Sequence, residues 1–405
     1  MISGYVHPDF GAVTEALRKV ATHKQGGGAA VAVYHQGEVV VDAWTGARNA
    51  AGDPWRPDTM VMSFSTTKGV VATTVHRLVD RGLIDYDEPV CTYWPEFAAG
   101  GKEHVTVRNL LDHSAGLHQL RGVISNAYEM LDWDLVCSRL AAESPRYPPG
   151  TRHGYHGVTF GFLVGEVIRR VTGLSVHDAV ETEIVQPLGL DGMSIGAPPQ
   201  LRDRVAELIT RPANAERAER FALRAGRAAW MRPAVDAFMV PGSEELFASF
   251  DVLDAEIPAA NGCFTARSLA RMYAALAGGG VLDGQRFLST ETLRRATEIQ
   301  SPGRDIVLGL RMRWRLGYHA AATTKGIIPN GFGHFGLGGS GAWADPDNDL
   351  AVAFVCNRVA GSPVGDTRLL RIGARAREAA MTRGRYGKST GNVRGPRTWP
   401  PAQVT

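Results

Sequence analysis

The chain has 405 residues, 44% of them hydrophobic, and its 44 basic and 41 acidic side chains leave a formal net charge of +3. This near balance, without a basic stripe interleaved with aromatic residues, excludes the composition typical of nucleic-acid-binding proteins. The length suffices for one large domain or two closely packed lobes. No stretch approaches the 18 apolar residues of a membrane span, so none is expected.

The cysteines and the first residues indicate where the protein works. Met1–Pro8 lack the basic and apolar regions of a secretion signal. Four widely spaced cysteines without a Cys-x-x-Cys pair predict buried free thiols in a reducing compartment, and hence a cytoplasmic protein. They are Cys91, Cys137, Cys263 and Cys356. The twelve histidines show no ligand pattern such as His-Glu-x-x-His, so neither a metal nor a cofactor is expected.

The first elements are a helix and a hairpin. Residues 9–22 show the apolar spacing of an amphipathic helix. Ala29–Val33 and Glu38–Trp44 are rich in β-formers and are separated by a short turn, which predicts two paired strands. A second helix follows Ser65 and is expected to end at Gly82.

The remaining elements alternate between helices and strands. Apolar residues from Phe160 to Val171 form a helical stripe closed by Gly173. Thr265 is expected to cap a helix that ends at Ala277. Strands are predicted at Val307–Trp314, Gly339–Ala344 and Leu350–Asn357, followed by a helix over 366–381.

A hairpin first, helices in the middle and strands last predict a sheet assembled from both ends of the chain. We therefore expect an α/β lobe made of residues 1–85 and 260–381, with a mostly helical lobe over 86–259 inserted between them. Within the inserted lobe, the arginine-rich residues 200–259 are expected to form a lid or an insertion. Residues 382–405 are expected to form a flexible basic tail. A cleft between the two lobes is the expected site.

Ser65 and Lys68 form the most informative motif. Residues three apart lie on the same face of a helix, so an amine lies about one turn from the serine hydroxyl. A serine becomes a useful nucleophile when a neighbouring group takes its proton. At a helix start, free N–H groups also point toward the serine and suit a developing oxyanion. The alternative is a serine that only caps the helix, with a lysine at the surface.

A loop rich in proline and glycine, Tyr147–Gly157, holds Tyr155. A phenol beside a lysine ammonium has a lowered pKa and can accept the serine proton. The alternative is a tyrosine that only packs on the helical lobe. By contrast, His113, in a short helix closed by a glycine turn, is expected to be structural.

The segment Gly331–Gly341 is dense in glycine and is expected to precede a strand. Glycine allows a backbone to come close to a ligand. A backbone N–H of this segment is expected to complete an oxyanion hole with the N–H of Ser65. A flexible turn with a chance histidine is the alternative.

Taken together, these motifs resemble the serine β-lactamase-like superfamily, in the branch of class C β-lactamases, D-aminopeptidases and family VIII carboxylesterases, and most closely the last of these. The order and spacing match over about residues 10–380. The matching pieces are Ser65–Lys68, Leu110–Leu117, Tyr155, Asn261-Gly262 and His334–Gly336.

The resemblance implies an α+β fold, with an antiparallel sheet flanked by helices and an inserted, mostly helical lobe. It implies Ser65 as the acylated nucleophile, with Lys68 and Tyr155 as the proton-transfer pair. It places the oxyanion-hole N–H groups at Ser65 and Leu337. The expected substrate contacts are His334, Phe335, Gly336, His156 and Asn261.

Two departures from the family pattern bear on the substrate. The common Tyr-x-Asn reads Tyr155-His156-Gly157, and Lys-Thr-Gly reads His334-Phe335-Gly336. The groups that bind the amide and carboxylate of a β-lactam in relatives are therefore missing, whereas a neutral ester needs only the nucleophile, base and oxyanion hole. We therefore expect a serine carboxylesterase that acts on small, short-chain esters, in which a neutral His334 donates a hydrogen bond to the substrate.

Three alternatives remain. Within the same fold, the alternatives are a β-lactamase, a D-aminopeptidase or an acyltransferase. Gly338–Ala342 nearly matches the Gly-x-Ser-x-Gly motif of α/β-hydrolases, but a strand-like segment follows Ser340 where that motif needs a helix. A non-catalytic protein on this fold is disfavoured by the intact Ser65, Lys68 and Tyr155.

Overall fold

The structure is a computed structural model, and it describes residues 1–21, 26–210, 231–301, 303–359 and 366–386. In this part of the chain, seven strands form one antiparallel sheet in the order β1-β3-β2-β12-β11-β10-β9. They are β1 Ile2–Val6, β2 Gly28–His35, β3 Glu38–Gly46, β9 His319–Thr323, β10 Gly326–Phe335, β11 Gly341–Asp345 and β12 Leu350–Cys356. Strands from both ends of the chain meet where β2 pairs with β12, as predicted.

Two smaller sheets accompany the main one. Their strands are β4 Val61–Met62, β5 Met193–Ile195 and β6 Gly262–Phe264, and the pair β7 Val281–Leu282 and β8 Gln285–Arg286. The short β4 leads directly to the nucleophile helix and pairs with β6.

The α-helices of the described residues occur throughout the chain. The first eight are α1 Gly11–Ala21, α2 Thr66–Asp80, α3 Val90–Tyr93, α4 Val107–Leu111, α5 Trp133–Ala142, α6 Thr159–Thr172, α7 Val176–Val180 and α8 Gln186–Leu188. The others are α9 Arg232–Phe238, α10 Ser243–Ala248, α11 Asp251–Asp254, α12 Ala266–Ala277, α13 Thr290–Thr297 and α14 Arg368–Tyr386.

Helices cover both faces of the main sheet. On one face, α1 and α14 pack against β2 and β12 through a buried apolar cluster that includes Leu17, Val352 and Ile372. On the other face, α12 packs on β2, β11 and β12. Every residue of β12 is buried, as expected for a strand covered on both sides. The predicted α+β class, an antiparallel sheet flanked by helices, is confirmed.

Several local predictions are confirmed. The hairpin appears as β2 and β3. Thr265 caps α12, because its side chain accepts a hydrogen bond from the Ser268 N–H. Gly82 and Gly173 both have positive φ just beyond their helices, at +71° in each case, which is the backbone geometry that favours glycine.

The strand predicted at Val307–Trp314 is wrong. This segment is a loop that folds around the buried carboxylate of Asp305, which accepts hydrogen bonds from the backbone N–H groups of Val307 and Leu308 at 2.9 Å. The same carboxylate accepts the indole N–H of Trp314 at 2.9 Å. The apolar residues of the segment Val307–Trp314 do not pair in a sheet and instead pack beside Tyr155.

The glycine-rich segment also differs from its prediction. Residues up to Phe335 belong to β10, and only the turn that follows precedes β11. Glycine is needed within the strand because a Cβ at Gly333 would lie 2.2 Å from the Ala342 carbonyl oxygen. In addition, α14 extends to Tyr386, so the predicted boundary at 382 falls inside a helix. The predicted tail from 387 onward lies outside the described residues, as do residues 211–230 of the predicted lid.

All four cysteines are free thiols. Three are buried as expected, whereas Cys91 is half-buried. In the described part of the chain, no helix has the length and apolarity to cross a membrane, and no group of three or more His, Cys, Asp or Glu side chains could hold a metal ion.

The Thr265 cap provides a test of the fold. Its hydroxyl accepts from the Ser268 N–H and donates to the Asp191 carbonyl, both at 3.1 Å. Thr265→Ala is expected to lower the free energy of unfolding by about 1–2 kcal/mol, whereas Thr265→Ser keeps the cap and most of the stability. Urea unfolding of both variants measures the difference. Equal midpoints for Ala and Ser would contradict the assigned cap.

Candidate active site

Ser65 lies directly before α2 and is held there by its neighbours. Phe64 has a φ of +47°, a conformation that is unusual for a bulky residue and marks a constrained turn. The Thr66 hydroxyl donates to the Ser340 carbonyl at 3.1 Å, and the Thr67 hydroxyl accepts from the Gly262 N–H at 3.0 Å. These bonds fix the start of α2 to the turn before β11 and to β6.

Lys68 lies one turn along α2 and has no exposed surface. Its Nζ is 3.0 Å from Ser65 Oγ, 2.7 Å from the carbonyl oxygen of Gly157 and 2.9 Å from that of Ala259. Burial lowers the pKa of Lys68 well below its usual value. A neutral amine has two N–H donors and one lone pair. The two carbonyls take the donors, so the lone pair faces the Ser65 hydroxyl.

Tyr155 completes this group. Its ring centroid is 5.0 Å from Lys68 Nζ, and Ser65 is close enough to act on the pKa of its hydroxyl. The ring stacks parallel to Trp314, with centroids 5.4 Å apart, and the Trp314 indole is in turn anchored by Asp305. Burial raises the pKa of Tyr155, so the expected lowering is wrong. The phenol stays protonated near neutral pH, and Lys68 is the better proton acceptor.

The end of β10 comes very close to the start of α2. A Cβ at Gly336 would lie 2.1 Å from the Ser63 carbonyl oxygen and 3.1 Å from the Ser65 nitrogen, so only glycine fits. A tight turn follows, with the Gly336 N–H donating to the Ser340 carbonyl at 2.7 Å. Among the described residues, the backbone N–H groups of Ser65 and Leu337 have no hydrogen-bond acceptor. Both are therefore free to bind an oxyanion.

Arg368 holds this turn from behind, and the sequence analysis missed it. Its guanidinium donates to the carbonyl oxygens of Gly338 and Arg358, and to the carboxylate of Asp366. The side chain is nearly buried. A basic residue at the first position of a helix is disfavoured by the helix dipole, and this is the signal that could have indicated a special role.

His334 is buried beside Tyr155, with ring centroids 6.2 Å apart. Burial lowers its pKa well below the usual value, so the ring is neutral. Its Nδ1 lies 3.0 Å from the Phe335 carbonyl oxygen and must therefore carry the proton. The remaining Nε2 has no partner among the described residues and can only accept. The expectation that His334 donates a hydrogen bond to substrate is wrong for this tautomer.

Phe335 is half-buried and lies against His319, with ring centroids 4.3 Å apart. It also joins the apolar group around Tyr155 and Trp314. Its ring therefore lies beside Tyr155, and a contact with substrate stays a prediction.

The predicted substrate contacts at His156 and Asn261 do not fit the structure. His156 is fully buried, and its Nε2 accepts the Leu117 N–H at 3.1 Å. The Asn261 amide donates to the carbonyls of Val252 and Ala255, while its oxygen accepts the Ile257 N–H. Asn261 is occupied by backbone groups, and His156 is tied to the Leu117 backbone through Nε2, so both side chains hold loops in place. His113 is also buried among aromatic rings, in agreement with a structural role.

Ser340, the serine of the alternative motif, is not placed as a nucleophile. It is buried, and its Oγ accepts the Cys356 N–H at 3.1 Å. The residues after it form the strand β11, whereas a nucleophile elbow needs a helix there.

The chain is similar to proteins that are already known. The chain is 41% identical over 364 residues to the esterase/beta-lactamase LipL of Mycobacterium tuberculosis, covering 88% of this chain and 83% of that protein. It is 35% identical over 180 residues to the esterase EstB of Burkholderia gladioli, covering 40% of this chain and 45% of that protein.

Two solved structures are also similar. A penicillin-binding protein homologue from Caulobacter crescentus has a TM-score of 0.81 at 36% identity, covering 94% of this chain and 100% of that chain. A family VIII carboxylesterase has a TM-score of 0.80 at 35% identity, covering 94% of this chain and 99% of that chain. The family model described as Beta-lactamase matches residues 13–376. The chain therefore belongs to the beta-lactamase family.

Proposed function

We propose that this protein is a serine hydrolase that cleaves short-chain carboxylic esters through an acyl-enzyme on Ser65. The observation that carries the proposal is the 3.0 Å contact between Ser65 Oγ and the buried amine of Lys68. Two carbonyl oxygens occupy the other hydrogen-bonding directions of that amine. The free cysteines support the cytoplasmic location that we propose with this function.

In the acylation step, Ser65 Oγ attacks the ester carbonyl carbon while its proton passes to the lone pair of Lys68. The carbonyl oxygen becomes an oxyanion that accepts hydrogen bonds from the N–H groups of Ser65 and Leu337. When the C–O bond breaks, the leaving alcohol takes a proton from Lys68, either directly or through the hydroxyl of Tyr155. Water then attacks the acyl group, and the same groups return Ser65 to its starting state.

The names of the similar proteins support esters as substrates. LipL and EstB are both named esterases, and one similar structure is a family VIII carboxylesterase. The site adds a physical reason, since His334 is a neutral ring where the family pattern has a lysine. An uncharged ester loses little from the absence of that cation, whereas an anionic substrate loses a binding partner.

Hydrolysis of β-lactams is the second candidate, because the name of LipL includes beta-lactamase. The ratio of kcat/KM for nitrocefin to that for p-nitrophenyl butyrate decides between the two. We expect a ratio far below one, because Gly157 has no side-chain amide and the neutral His334 provides no cation to bind the β-lactam. A ratio of one or more would reverse the order of the candidates.

The direct test of the proposal is Ser65→Ala. Removing the nucleophile is expected to lower kcat for p-nitrophenyl butyrate by several orders of magnitude without unfolding the protein. Ser340→Ala serves as the matched control, because this buried serine bonds only to the backbone and to Cys356 among the described residues. If Ser340→Ala were inactive while Ser65→Ala kept more than a few per cent of the activity, the nucleophile would be misassigned.

A second prediction concerns the protonation state of Lys68. Protonation removes the lone pair that accepts the serine proton, so kcat/KM is expected to fall as the pH falls through the lowered pKa of Lys68. Lys68→Arg is expected to lose roughly 10² to 10⁴ in kcat/KM, because a guanidinium stays protonated. Profiles of kcat/KM against pH measure both effects. Activity of Lys68→Arg within tenfold of wild type would refute the amine as the base.

A third prediction concerns Arg368, a positioning residue for the Leu337 N–H. Loss of its bonds to the turn is expected to lower kcat of Arg368→Ala by roughly 10- to 100-fold with little change in KM, because the oxyanion hole acts mainly in the transition state. The control is Arg375→Ala, whose exposed side chain pairs with Glu378 on the same helix. An effect on KM alone, or equal losses in both variants, would count against this role.

A further inference from the structure

One flank of the site is defined by the contact between Gly157 and Phe238. A Cβ at Gly157 would lie 2.3, 2.8 and 3.0 Å from three carbon atoms of the Phe238 ring. Cβ atoms in proteins do not approach other atoms as closely as the shortest of these distances, so the ring occupies the space that any side chain at 157 would need. The carbonyl of the same glycine holds Lys68 Nζ at 2.7 Å. Gly157 therefore lies between the two groups: it contacts the phenyl ring of Phe238, and its carbonyl contacts the amine of Lys68.

Phe238 is held in this position by its backbone. It is the last residue of α9, and the carbonyl of Asp236 on that helix accepts the Arg121 N–H at 3.0 Å. Shortly after the helix, the carbonyl of Pro241 accepts the Ala127 N–H at 2.8 Å. These contacts attach the segment on both sides of Phe238 to residues 121–127. The position of Phe238 is therefore fixed by backbone hydrogen bonds on both sides of it.

The surroundings of the ring are apolar. Its centroid is 5.8 Å from that of Tyr155, at an angle of 44°. The ring of Phe238 packs against an apolar cluster that contains Tyr155 and side chains of the loop after Asp305. Phe335 packs against the same cluster. The buried members of this cluster are Tyr155, Ala237, Val307, Met312 and Trp314. Phe238 itself is half-buried, so the residue is not sealed inside this cluster.

We propose that Phe238 is a specificity-determining residue: its ring over Gly157 forms an apolar wall that binds the apolar chain of an ester. This inference rests on the proposed ester hydrolysis and names its preferred substrates. Each CH₂ group buried against such a wall favours binding by about fourfold. An amide placed on the same flank loses its hydrogen bonds to water and finds a phenyl ring instead. The wall therefore selects butyryl or butyl esters over acetyl or ethyl esters, and selects esters over amides.

The first experiment measures chain-length preference in Phe238→Ala. One series varies the acyl group, from p-nitrophenyl acetate to p-nitrophenyl butyrate. The other varies the alcohol, from ethyl acetate to butyl acetate, followed by acid release at constant pH. We expect the preference for the longer chain to fall by about tenfold in one series, chiefly through KM, because roughly two CH₂ groups lose their contact. The affected series identifies which chain faces the ring.

The matched control is Phe250→Ala in the same region of the chain, because Phe250 is 73% exposed. Its chain-length preference is expected to equal that of wild type. If Phe238→Ala kept the wild-type preference in both series, or if Phe250→Ala changed it equally, the proposed wall would be wrong. The proposed function would stand in either case, provided that wild type hydrolyses esters and Ser65→Ala does not.

The second experiment tests the packing directly by labelling Ser65 with a fluorophosphonate. Gly157→Asn alone is expected to slow labelling by about tenfold or more, because its side chain collides with the ring and displaces the carbonyl that holds Lys68. Gly157→Asn in the Phe238→Ala background is expected to recover labelling, and to raise the nitrocefin-to-ester ratio above that of wild type. A double variant as slow as Gly157→Asn, or a single variant as fast as wild type, would overturn the inference.

Discussion

The site depends on Lys68, a buried lysine that has no counter-ion among the residues the structure describes. Burial is the cause of its lowered pKa. Its three contacts come from three segments: Ser65 at the start of its own helix, Gly157 from the loop before α6, and Ala259 from the segment before β6. One nitrogen atom therefore joins three segments. Because an ammonium is costly to bury, the same packing that completes the site also lowers the pKa of this amine.

Close backbone approach is the second requirement, and two glycines supply it. Gly336 brings the end of β10 against the backbone of Ser63 and Ser65, next to the proposed nucleophile. Gly157 lets the ring of Phe238 lie against the loop that carries Tyr155. The first contact supports the proposed oxyanion hole, and the second makes the neighbouring flank apolar. Arg368, the first residue of α14, donates a hydrogen bond to the Gly338 carbonyl in the turn after β10. The helix α14 therefore also contributes to the geometry of the site.

Sequence patterns predicted features whose causes are local. Ser65 and Lys68 share a face because of helical spacing, and Thr265 caps α12 through a hydrogen bond three residues away. The features that were predicted wrongly depend on particular hydrogen bonds and on burial, which composition and motif spacing do not reveal. Val307–Trp314 has strand-like composition, but the buried carboxylate of Asp305 takes its N–H groups. The tautomer of His334 is set by a carbonyl, and the pKa of Tyr155 by burial between aromatic rings, neither of which is visible in a linear motif.

The most direct test of the account is covalent modification by diethyl p-nitrophenyl phosphate, whose phosphorus centre resembles the tetrahedral intermediate. Peptide mapping by mass spectrometry locates the phosphoryl group, and release of p-nitrophenol gives the rate of its transfer. The account predicts one phosphoryl group on the peptide that contains Ser65, formed more slowly as the pH falls and hardly at all in Lys68→Arg. Modification of a different residue, or a rate that is the same with arginine at position 68, would contradict it.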